Sequence, residues 1–119
     1  MRSTLILFSV LFSLGMIQWS HAQAKPSKNQ QNEFIVLGNC EMCQKRIEKA
    51  ALTVKGVKMA QWDIPSNILQ VVYNAQKIEL QQIHQAVAAV GHDTDSHQAP
   101  DGVYAALPLC CLYDRKDYN

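Results

Sequence analysis

The sequence predicts an α+β sandwich of order βαββαβ: a four-stranded antiparallel sheet with both helices on one face, followed by a cysteine-bearing extension. Three observations carry this expectation. Short β-prone runs stand at 33–37, 57–64 and 68–74, two longer segments repeat apolar residues at steps of three and four, and a tight turn at 65–67 joins the two middle strands. Two strand-helix-strand halves joined by a hairpin suit a split βαβ arrangement.

The first 24 residues, "MRSTLILFSVLFSLGMIQWSHAQA", are set apart from that fold. A positive start at Arg2, an apolar core from Leu5 to Ile17 and small residues at Ser20, Ala22 and Ala24 read as a secretory signal peptide. The apolar core is shorter than the roughly 20 residues of a spanning helix. No cysteine lies near the cleavage site, which argues against a lipid anchor. The expected location is therefore exported, in the periplasm or secreted, with no membrane anchor after cleavage. Residues 25–32, "KPSKNQQN", lack any large apolar group and read as a flexible lead-in.

The domain proper is expected over residues 33–97. "EFIVL" forms an interior strand, and after "GNCEMC" the residues Cys43, Ile47, Ala50, Ala51 and Val54 recur at helical spacing up to Gly56. "VKMAQWDI" is a strand whose apolar phase shifts near Met59 and Ala60, which predicts a bulge. "PSN" turns the chain, and "ILQVVYN" places Leu69, Val71 and Tyr73 on one face. Leu80, Ile83, Val87 and Val90 make the second helical stripe, stopped by Gly91. The fourth strand is expected around Thr94 to His97. In this topology the 38–43 loop, the 65–67 turn and the 91–92 corner share one end of the domain.

Cys40 and Cys43 stand where a strand passes into a helix. Unpaired N–H groups and the positive helix end favour their thiolates. Two such sulfurs suit a soft ion such as Cu(I) or Hg(II), and leave room for an incoming thiolate that can take the ion away. The stretch "GNCEMCQKRIEKAALTVKGV", the "WD" and "VVYN" strands and "IHQAVAAVGHD" resemble the heavy-metal-associated domain family. That family includes copper chaperones, modules of copper-transporting P-type ATPases and periplasmic mercury-binding proteins. The resemblance covers about Glu33 to Asp95. It implies a ferredoxin-like fold and metal binding by Cys40 and Cys43.

The sequence departs from the family at Gly38, where a methionine usually packs under the loop. Met42 is the residue available to fold inward and fill that volume, with a surface position or thioether ligation of Cu(I) as its other readings. His92 occupies the loop position where some relatives carry a side chain that tunes or joins the ion, and reads equally as an exposed loop histidine. His84 reads as a partly buried structural histidine, and His97 as a surface residue.

Residues 98–119 form an extension holding the other two thiols, Cys110 and Cys111. Asp101 is expected to cap a short helix over Val103 to Leu107 that ends at Pro108. Returning from the end of the last strand to the thiol loop means covering about 20 Å, which twelve extended residues at roughly 3.3 Å each can do. Adjacent cysteines seldom pair with each other, because the small ring distorts the peptide between them. Cys110 and Cys111 then join Cys40 and Cys43 around a metal, form disulfides with them, or bind separately. Four cysteines in an exported chain allow three pairings, each bridge worth about 2–4 kcal/mol.

Removing Arg2 with the leader takes the formal charge from +1 to 0, so nothing points to nucleic acid or an anionic membrane as partner. No residue pattern suggests hydrolysis or group transfer, so no enzyme is expected. The expected function is an exported Cu(I) chaperone or scavenger, whose partners are the ion itself and a membrane metal transporter or another metal-binding domain. Hg(II) and Zn(II) are the alternative ions. A thiol-disulfide redox protein or a disulfide-stabilised interaction module are the alternative functions. Against redox exchange, no "WC" precedes the first thiol and no proline lies between the two.

Overall fold

The computed structural model describes residues 28–115, so the proposed leader at 1–24 and the first residues of the lead-in lie outside the described residues. At the centre runs β3 (Ile68–Asn74), with β1 (Asn29–Ile35) on one side and β2 (Val57–Trp62) on the other, both antiparallel. Central position explains its composition: Leu69, Val71 and Tyr73 point to the core and are buried.

β1 begins four residues earlier than its apolar content suggests. Asn29 pairs with Asn74 and Asn32 with Val71, so the lead-in reading fails for residues 29–32. Pairing is made by backbone groups and needs no apolar side chain, which is why a polar stretch could extend the strand. The Tyr73 hydroxyl adds a hydrogen bond to Asn32 Oδ1 at 3.0 Å. In β2 the register slips between Val57 and Met59, one residue ahead of the expected bulge, and thereby turns Ala60 and Trp62 inward.

Helix α1 (Glu41–Thr53) buries Cys43, Ile47, Ala50 and Ala51, and α2 (Leu80–Ala89) buries Ile83, His84, Val87 and Ala88. Both contribute to one core with the inward residues of the sheet. Glu48 and Gln44 of α1 hydrogen-bond the Trp62 amide and carbonyl, which covers part of the exposed edge of β2. Gly56 and Gly91 close the two helices with φ of +118° and +108°, conformations that L side chains rarely adopt.

The expected fourth strand is reduced to a single bridge, Val36 with Thr94, so the sheet has three strands among the described residues. Thr94 explains the loss. Its Oγ1 accepts from the amides of Ser96 and His97 and its own N–H donates to the His97 carbonyl, a local turn that competes with further pairing. Flanking hydrogen bonds from Leu37 N to Asp93 O and from Asp95 N to Ile35 O still hold this segment beside the end of β1.

His84 is buried as expected, stacked 3.8 Å from Phe34 and bonded through Nδ1 to Thr94 Oγ1. His97 is half-buried rather than fully at the surface, its ring 5.8 Å from that of His84. In the extension, α3 (Asp101–Ala105) starts from Pro100 rather than from a capping Asp101 side chain. Asp101 instead accepts from Arg115, further along the tail. A 3-10 turn, Leu109–Cys111, follows Pro108 and packs against α1.

Candidate metal centre

The thiol loop leaves β1 and meets its neighbours as the topology requires. Asn67 in the β2–β3 turn donates to the Gly38 carbonyl at 3.3 Å, and the His92 ring nitrogen Nδ1 donates to the Leu37 carbonyl at 2.8 Å. Gly38 is required here by crowding. A Cβ at this position would lie 3.0 Å from the Trp62 ring and 3.1 Å from Cys43 Cβ. Trp62, held by a hydrogen bond from its indole N–H to Val36 O, fills the space under the loop. Met42 therefore does not fold inward: it is 51% exposed.

Cys40 is the N-cap residue of α1, and Cys43 lies one turn in on the buried face of the helix. Their sulfurs are 3.5 Å apart, and Cys43 Sγ accepts the Asn39 amide at 3.4 Å. The tail thiols complete the group. Cys111 Sγ lies 3.8 Å from Cys40 Sγ and 4.0 Å from Cys110 Sγ, while Cys110 is 3.5 Å from the Met42 sulfur. All four cysteines are unbridged. Cys40, Cys110 and Cys111 have sulfurs that all lie within 4.8 Å of one another.

An open pair of thiols on the rim was the expectation; the structure closes it. Cys43 has no solvent exposure and Cys40 is half-buried, because the helix face carrying Cys43 is covered by the core and the 3-10 turn sits at the same end of α1.

Charge is unevenly shared among these sulfurs. The Cys43 backbone amide at the helix start is the largest influence on Cys40 and lowers its pKa to about 7, although the neutral thiol makes no capping hydrogen bond. Donating to Cys40 pushes the Cys110 thiol up. Burial, and then donation to Cys43 and Cys40, pushes Cys111 up strongly. A thiolate is thus favoured at Cys40 over the two tail thiols, and making thiolates of Cys110 and Cys111 as well needs a cation to balance them.

The tail is held in place from below. Leu107 packs over Gly91, where a Cβ would approach its side chain to 2.9 Å. The Tyr113 hydroxyl donates to Gly91 O at 2.7 Å and accepts the Asp93 amide at 2.8 Å. Arg115 grips the buried Asp93 carboxylate with two N–H groups, at 2.8 and 2.7 Å, and also binds Ala99 O and Asp101. Burial alone would raise the Asp93 carboxyl, but these guanidinium bonds and the Ala99 amide outweigh it and hold it below the ordinary carboxylate range.

His92 is fully buried and lies against Tyr113, ring centroids 5.6 Å apart. Its Nε2 has no hydrogen-bond partner, and burial lowers its pKa, which favours the neutral ring. Asp93, Tyr113 and Arg115 were not singled out from the sequence. The only signal was an arginine and a tyrosine placed shortly after the cysteine pair in "CCLYDR".

Comparison with known proteins places this architecture. Residues 39–93 match the family described as heavy-metal-associated domain. The copper chaperone CopZ of Staphylococcus epidermidis is 29% identical over 55 residues, which span 46% of this chain and 81% of CopZ. The N-terminal domain of a potential copper-translocating P-type ATPase from Bacillus subtilis, solved in its Cu(I)-loaded state, superposes with a TM-score of 0.53 at 27% identity. That match covers 56% of this chain and 84% of the ATPase domain. Oxidized MerP from Ralstonia metallidurans CH34 shares the fold, with a TM-score of 0.54 at 24% identity over 56% of this chain and 94% of MerP. Residues 39–93 thus carry a heavy-metal-associated domain.

Proposed function

We propose that this protein is an exported carrier or scavenger of Cu(I), which it takes up through Cys40 and Cys43. The observation that carries the proposal is the pair itself: two unbridged sulfurs 3.5 Å apart at a helix start, one of them favoured as a thiolate near neutral pH. Soft thiolates select soft ions, and the likeness to CopZ and to a Cu(I)-loaded ATPase domain supports Cu(I) among them. By the same likeness, the receiving partner is a membrane metal transporter or one of its metal-binding domains. Hg(II) and Zn(II) would meet the same sulfurs. The role is binding and transfer rather than catalysis, and His92, bonded to Leu37, is assigned to support of the loop.

Anaerobic native mass spectrometry with Cu(I), Hg(II) and Zn(II) in competition tests this reading. Cu(I) is expected to be retained over Zn(II), and the Cys40→Ser/Cys43→Ser variant is expected to lose it. Unchanged copper stoichiometry in that variant would overturn the assignment. Export is tested separately by the N-terminal sequence of the secreted or periplasmic product, expected to begin after Ala22 or Ala24.

A further inference from the structure

The tail thiols do more than sit near the loop. We propose that Cys110 and Cys111 complete, with Cys40, a three-thiolate centre that holds a soft monovalent ion in a closed state, so that the tail is part of the metal site. This rests on the reading of the protein as a soft-metal binder and deepens it.

The distances separate two coordination modes. With metal–sulfur bonds of about 2.3 Å, two sulfurs in a line stand roughly 4.6 Å apart, whereas three around a trigonal ion stand roughly 4.0 Å apart. Cys40 and Cys43, at 3.5 Å, are well short of the linear spacing. Cys40 to Cys111 and Cys111 to Cys110, at 3.8 and 4.0 Å, match the trigonal spacing, and all three sulfurs lie within 4.8 Å of one another. A trigonal centre thus forms with small side-chain movements, while a linear one needs the Cys40–Cys43 pair to spread by about 1 Å.

The placement is built, not accidental to a loose end. The 3-10 turn carrying both tail cysteines is fixed before and after by buried groups, Leu107 over Gly91 on one side and Tyr113 and Arg115 on Gly91 and Asp93 on the other. Asn39, next to Cys40, donates to the Leu112 carbonyl at 3.2 Å and ties the turn directly to the thiol loop. Each thiol that joins the ion releases its proton, so the bound centre carries three thiolates and one monovalent cation. An acceptor's thiolates would reach the ion only once the tail gives way, which makes the closed state a retaining one.

X-ray absorption of the anaerobic Cu(I)-loaded full-length protein, paired with chelator competition, tests this. Three sulfur neighbours are expected in the wild type. Two are expected in Cys110→Ser/Cys111→Ser, with affinity lower by roughly 100-fold, in line with the loss of a tethered extra ligand. Cys110→Ala removes an exposed sulfur without opening the core, and is expected to lose the third neighbour as well. Two sulfur neighbours in the wild type, or unchanged affinity in both tail variants, would overturn the tail centre while leaving the Cys40–Cys43 reading standing. Failure of the wild type to bind Cu(I) at all would remove both.

Discussion

Cys40 shows how one backbone position changes the chemistry of a side chain. Cys110 is the more exposed thiol, yet Cys40 has its pKa lowered to about 7 while that of Cys110 is raised. Pulsed iodoacetamide labelling read by peptide mass spectrometry at pH 7 is therefore expected to modify Cys40 first, with an inflection near pH 7. Faster labelling of Cys110 would show that exposure, not the helix start, sets reactivity. Gly38 makes the same point about space. The Trp62 ring stands 3.0 Å from the position of an added Cβ, so Gly38→Ala is expected to lose about 1–2 kcal/mol in urea denaturation through overpacking. A loss within error would mean that Trp62 can move aside. The pull of the helix start on a thiolate was legible in the sequence, but the crowding was not, because there Gly38 is only a missing methionine and Trp62 lies 24 residues away.

Among the elements, the tail is the one whose attachment depends on charge. Asp93 is fully buried and Arg115 supplies two of the bonds that satisfy it, so removing the guanidinium leaves a charged group short of partners. Arg115→Ala is expected to cost about 2–3 kcal/mol and to release residues 109–113 to rapid hydrogen exchange while β1 and β3 stay protected. Tail amides exchanging as slowly as those of β3 would show that Leu107 and Tyr113 hold the segment unaided. The fourth strand teaches a related lesson. A strand was expected over Thr94 to His97 and only one bridge forms, because the Thr94 hydroxyl captures the amides that a longer ladder would have used.

For the molecule as a whole, three buried titratable groups act in the same direction. His84 and His92 have their pKa values lowered, chiefly by burial, and Asp93 has its own lowered by Arg115 against the effect of burial. In each case the unfolded chain binds protons more readily than the folded one, so stability present at neutral pH is lost on acidification. Asp95 near His84 and Asp93 near His92 oppose part of the histidine effect, while His97 and Arg46 respectively add to it. The urea midpoint is expected to fall between pH 7.5 and 5.5 as the unfolded histidines gain protons. A second fall is expected below about pH 4, as Asp93 becomes protonated and the tail loosens. A flat midpoint from pH 7.5 to 5.5 would show that burial of the two rings carries no such cost.

Strand, helix and turn positions from Phe34 to Gly91 follow from apolar spacing and from glycine and proline punctuation, because those signals are local in the chain. So does the Cys40–Cys43 loop, since two thiols three residues apart at a strand-to-helix junction need no distant partner to be recognised. What the chain alone left open was decided by contacts between residues far apart in it. β1 could extend through polar residues because β3 offered backbone partners, and Trp62 took the space under the loop. Cys111 came within 3.8 Å of Cys40 across 71 positions because Tyr113 and Arg115 found buried partners at Gly91 and Asp93. Pairings of that kind depend on which surfaces the folded domain presents, and linear spacing carries no record of them.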